Sequence, residues 1–227
     1  MPFTPPEPAP PGPDTAETVL QDYRERVQER EVRFTAQRLL AEHLRPRPDR
    51  THPATTFWTN IDLDLTGATL VGWVLNNCRF RDAGFNRAQF IGPAQFGGAQ
   101  ITGAAAFSGA SFTDQAWFMA TEFTGIAWFH GSKFTGAAAF NGASFTDQAW
   151  FRKSWFACNV SYLGTQFAGD TNFDNAQFNG DADFRAQFNG PALFRMARFG
   201  QKMPAEITAL PQWAREGAVD GTEPTKQ

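Results

Sequence analysis

Residues 103–118 read GAAAFSGASFTDQAWF and residues 136–151 read GAAAFNGASFTDQAWF, identical but for Ser108 and Asn141. A stretch restated further along the chain points to a repeating unit, and the unit is legible around the duplication. A large apolar residue closes each short segment at Phe80, Phe85, Phe90, Phe96, Ile101, Phe107, Phe112, Phe118, Phe123 and Phe129, and the series runs on to Phe199. After Phe90 the intervals alternate between six and five, a double unit of 11, and the duplication is offset by three such units. Of 24 phenylalanines only Phe3, Phe34 and Phe57 stand off these marks, so nearly all belong to one copied packing environment.

Two residues before each mark the side chain is small: Ala83, Ala88, Ala94, Ala105, Ala116, later Thr121, Ser132, Ser154 and Val160. A small residue at i−2 and a large one at i point to the same side of an extended backbone. Glycine, asparagine and aspartate between them supply turns. One helical face cannot hold a five–six alternation over more than a hundred residues. The pattern predicts very short strands joined by corners, stacked so that the phenylalanines form a continuous buried column.

"DLTGATLVGW" (64–73) and "AGFNRAQFIGPAQF" (83–96) make the chain resemble the pentapeptide-repeat family, over roughly Leu65 to Phe199. The resemblance implies an all-β solenoid, a right-handed quadrilateral parallel β-helix with four units per coil. About six and a half coils follow, a rod about 31 Å long at ~4.8 Å per coil. The sequence departs from the family pattern by an extra residue in every second unit, which implies a bulged corner twice per coil. The four-residue interval from Phe184 to Phe188 implies a pinched corner. A coil of four units holds two double units, so a shift of three is one and a half turns. The two copies of the duplicated stretch should therefore look out on opposite sides. A flattened solenoid with one double unit per coil is the structural alternative; it would make Trp117 and Trp128 neighbours, where four faces pair Trp128 with Trp150.

Four segments are expected. Residues 1–14, with seven prolines, read as a disordered tail. Residues 15–56 form a helical segment and linker, opened by a capping box of Asp14 and Glu17. The β-helix spans 57–203, and 204–227 form a C-terminal cap and tail, with "PAEITALPQWARE" (204–216) supplying a short capping helix. In the helical segment Leu20, Tyr23, Val27 and Phe34 make one stripe; Val32, Ala36, Leu39, Leu40 and Leu44 make another. The change of stripe near Arg30 predicts two helices or one rotated seam, and the length of an unbroken 30-residue helix, about 45 Å and longer than the solenoid, favours a break. "EREVRFTAQRLLAEHLRP" (29–46) is similar to the segment preceding the repeats in some proteins of high-GC bacteria. It either caps the first coil or binds a partner.

Acidic and basic residues number 23 and 20 and balance along the chain. No basic stripe to neutralise phosphates is expected, and no direct nucleic-acid binding. Cys78 and Cys158 match no metal spacing, and Cys78 falls at a small inward position. No apolar run approaches the ~20 residues of a membrane span; a cytoplasmic protein is expected. His43, His52 and His130 sit in no catalytic or metal constellation, so no catalytic residue, cofactor or metal is expected, and no enzyme. Trp117, Trp128, Trp150 and Trp155 each precede a mark and should point outward. Trp128, Trp150, Trp155, His130, Arg152 and Trp117 form the candidate interaction surface, since clustered tryptophans with arginine are interface anchors. The expected function is a non-catalytic scaffold that meets a protein partner or a second copy of itself. The family resemblance implies an alternative, imitation of DNA toward DNA gyrase or a topoisomerase with an effect on quinolone sensitivity. That would need carboxylate rows, which the outward residues Gln89, Ser111, Lys133, Trp155 and Gln100, Glu122, Ser144, Gln166 do not supply. Only Asp170, Asp174, Asp181 and Asp183 gather, near the C-terminal end.

Overall fold

The computed structural model describes Gly12, residues 16–46 and residues 57–221; the proline-rich tail, Asp14 and residues 47–56 of the linker lie outside them. From Leu63 to Asp220 the chain forms strands of two or three residues, all paired in parallel, in four sheets of seven, eight, five and six strands. One coil visits the sheets in turn. Ala105–Ala106 lies on face I, Ser111–Phe112 on face II, Ala116–Trp117 on face III and Glu122–Phe123 on face IV, and Ala127–Trp128 returns to face I beside Ala105–Ala106. Ala105, Ala127, Ala149 and Thr171 are successive register partners, each two double units beyond the last. The first coil is shorter, the length of four plain pentapeptides, since Leu63 pairs with Ala83. The solenoid is four-sided, with about seven turns.

The two unit lengths build two kinds of corner. In the five-residue unit a β-turn follows the buried phenylalanine: the Thr121 N–H donates to the Phe118 carbonyl. Its third residue is left-handed, as at Gly109, Ala120, Gly131, Gly142 and Lys153. The six-residue unit makes the wider corner, where the extra residue sits. These corners stack backbone on backbone. A Cβ on Gly136 would run into the backbone carbonyl of Asp114. The expected pinch appears between Phe184 and Phe188: one turn residue is gone, no left-handed residue remains, and the Ala186 N–H bonds to Phe184 instead.

The interior consists of four aromatic columns. Phe85, Phe107, Phe129, Phe151, Phe173 and Phe194 stack on face I, Phe90 to Phe199 on face II, Phe96, Phe118, Phe140, Tyr162 and Phe184 on face III, and Phe123, Phe145, Phe167 and Phe188 on face IV. Stacked centroids are 4.5 to 5.1 Å apart, the strand spacing itself. Columns I and III meet edge to face, as in the 5.6 Å, 88° contact of Phe107 with Phe118. The parallel stacks are imposed by the coil repeat; the perpendicular contacts add the favourable quadrupole geometry.

Helix α1, Glu17–Leu44, covers the first coil without a break. Its predicted break is absent because the seam never shifts. The stripe Leu20, Tyr23, Val27 continues through Phe34, Gln37, Ala41 and Leu44 at alternating spacings of three and four. Gln37 hides this continuity from an apolar count, yet it is a docking residue, donating to the Val71 carbonyl at 3.0 Å. Arg33 and Arg45 likewise donate to the carbonyls of Thr69 and Asn76, and Ala41 and Leu44 are buried. Of the second stripe Val32, Ala36 and Leu39 face outward, with Val32 68 % exposed, while Leu40 and Leu44 pack inward. At the other end, helix α2, Ala205–Thr208, and a 3-10 turn at Gln212–Ala214 close the column with Ile207 and Ala214 buried. The chain then adds Val219–Asp220 as a further strand beside Arg198–Phe199, so the cap is itself a last, degenerate coil.

Candidate functional site

The duplicated stretch settles which tryptophans can share a surface. Trp150 and Trp117 are the same position in its two copies, and they lie on opposite faces: Trp150 on face I beside Trp128, Trp117 on face III between Gln95 and Ala139. Trp128 and Trp150 are direct register partners. Trp155 stands just past the β-turn that starts at Phe151, on face II between Lys133 and Gln177. The structure therefore brings together Trp128, Trp150 and Trp155 and leaves Trp117 on the far side, 37 % exposed and next to exposed Met119. The three clustered tryptophans are half-buried, less open than their outward position suggests. The Trp150 indole N–H donates to Gln148 at 3.1 Å.

His130 and Arg152 occupy the same turn position on adjacent coils, at the edge between faces I and II. Burial holds His130 below the usual imidazole value, and the neighbouring charges of Arg152 and Lys153 add to it. The Arg152 Nε is buried without a hydrogen-bond partner. Along the same edge lie Arg87 and Lys153, both exposed and both in the left-handed turn position, and Arg195; Lys133 and Arg198 point outward from face II beside it. Six of the nine basic residues between 57 and 199 thus share one edge, where the balanced count along the chain shows no stripe. The reason is arithmetic: residues one coil apart in sequence are neighbours in space.

The carboxylates are arranged differently. Asp174 is buried and engaged by the Arg195 guanidinium at 3.1 Å. Asp183 is held by Arg185 at 2.7 Å, which lowers its carboxyl below the usual range. Asp170 and Asp181 are exposed but on different corners, the first between faces IV and I, the second between II and III. Among the described residues no group of three or more His, Cys, Asp and Glu comes together as a metal site. Cys78 is buried under α1, its thiol donating to the Ala41 carbonyl, and burial pushes it up to about 11; Cys158 is exposed on a wide corner. Among the described residues no helix is long and apolar enough to cross a membrane.

Comparison with known proteins agrees with this architecture. The family model described as Pentapeptide repeats (9 copies) matches residues 75–121, 85–133 and 120–161. No curated protein and no solved structure matches the chain.

Proposed function

Given that this chain belongs to the pentapeptide-repeat family, we propose that it is a non-catalytic scaffold whose working surface is the edge between faces I and II. Trp128, Trp150 and Trp155, with His130 and Arg152, meet a protein partner there. The register pairing of Trp128 with Trp150, continued round one turn by Trp155, carries the reading. Tryptophan and arginine concentrate binding energy because they combine large apolar area with a polar or charged group. A second copy of the chain would use the same surface.

The reading that the rod imitates DNA has less support. It needs a row of free carboxylates, and two of the four gathered aspartates are already neutralised by arginine.

The test compares the full chain with Trp128→Ser/Trp150→Ser and with Trp117→Ser. Sedimentation reports self-association, and capture from extract reports partners. Association is expected to be lost in the double variant and kept in Trp117→Ser. Loss in Trp117→Ser alone would move the site to face III.

A further inference from the structure

We infer that the edge between faces I and II binds an acidic, extended protein segment, with its cations taking the carboxylates and its tryptophans the apolar side chains between them. This rests on the edge being the contact surface and adds the chemistry of what it contacts.

Charge complementarity carries the inference. Arg87, Lys133, Arg152, Lys153 and Arg198 form no ion pair among the described residues; of the other basic residues between 57 and 199, Arg81, Arg185 and Arg195 are each matched to an aspartate and Arg79, on face IV, is not. Between Arg87 and Arg198 the only acidic group of this edge, Asp174, is buried beneath Arg195, and the one exposed carboxylate, Glu216, stands in the last coil beyond Arg195. In a chain of net charge −3, five unmatched cations have been collected on one line. Two of them, Arg87 and Lys153, stand at φ 56° in the left-handed position of that corner, which Gly109, Gly131, Asn175 and Met196 fill on other coils.

The shape of the charge favours one extended chain. From the coil of Arg87 to that of Arg195 is five coil steps, about 24 Å, the reach of about seven residues in extended conformation. The corners on either side carry opposing charge: Asp82, Asp147 and Asp170 next to face I, Asp114 and Asp181 beyond face II. A broad polyanion such as duplex nucleic acid would meet those carboxylates; a single strand of peptide would lie between them. Single-stranded nucleic acid needs open aromatic faces for its bases, and here the rings are half-buried, with Trp150 tied to Gln148.

The test is fluorescence anisotropy of a labelled Glu- and Asp-rich peptide with interspersed Leu and Phe, titrated with the full chain. Two variants of equal charge change are compared: Lys133→Glu/Lys153→Glu on the edge, and Arg79→Glu/Lys202→Glu away from it. Thermal melting verifies that both are folded. Binding is expected to weaken about tenfold or more in the edge variant, to stay unchanged in the other, and to fall as salt rises. Equal weakening by both variants, or no binding by the wild type at low salt, would overturn the inference. Tighter binding of a labelled oligothymidylate than of the peptide would overturn it too and assign the edge to nucleic acid. If the edge variant keeps its captured partner while Trp128→Ser/Trp150→Ser loses it, the contact surface stands and the acidic ligand falls.

Discussion

Tyr162 stacks between Phe140 and Phe184, 5.0 and 4.9 Å from them, and its hydroxyl is buried with no partner. Its burial raises the phenol well above its ordinary value. An unsatisfied buried hydroxyl costs about 1–3 kcal/mol, so Tyr162→Phe is predicted to stabilise the protein by up to that amount in urea unfolding. Lower stability would show that the hydroxyl has a partner. Gly136 gives the opposite case. Its Cβ would press on the Asp114 backbone, which cannot step aside as a side chain can. Gly136→Ala is predicted to cost about 1–3 kcal/mol, as overpacking does; a neutral effect in the same assay would mean the corners stack less tightly. At this scale the sequence was generous with the core: the small residue at i−2 and the phenylalanine at i marked nearly every buried side chain. Tyr162 shows the limit, because the repeat says where a side chain points and nothing about whether its polar atom finds a partner.

Helix α1 is anchored by polar groups that an apolar pattern does not register. Gln37, Arg33 and Arg45 donate to three carbonyls of the first coil, and Ala41 closes over the Cys78 thiol. Two apolar stripes therefore suggested a break where the structure has one seam. The docking makes a thiol prediction. With an aromatic disulfide reagent near neutral pH, Cys158 reacts promptly and Cys78 does not, since it is buried and its pKa stands near 11. Ala41→Asp, which puts a charge into the helix contact, is predicted to make Cys78 reactive as well. Fast reaction of both thiols in the wild type would show that the helix does not hold the end of the column. The same thiol sets a pH trend. Its folded pKa lies above the unfolded value of about 8.5, so its contribution is complete below that pH and declines as pH rises toward about 11.

Seen whole, the molecule is a rod whose two ends are covered by elements outside the repeat, α1 at one and the degenerate last coil at the other. The four-sided coil is what the resemblance to the pentapeptide-repeat family implied, since the alternation of five and six alone also fits a flattened coil of one double unit. The opposite placement of Trp117 and Trp150 follows from a shift of three double units where a coil holds two. Both were legible in the sequence, and so was the adjacency of Trp128 and Trp150. The cationic edge was not, because Arg87, Lys133, Arg152 and Arg198 are scattered along the chain and become a line only when folded positions are counted. The half-burial of the tryptophans was also hidden, since an outward strand position does not specify how far neighbouring coils cover the ring.

Amide hydrogen exchange of the full chain with and without a captured partner, or across its own association, tests the functional account most directly. Slowed exchange is predicted at residues 128–133 and 150–155, with face III around Trp117 unchanged. Protection confined to face III or to α1, with the tryptophan edge exchanging as before, would contradict it.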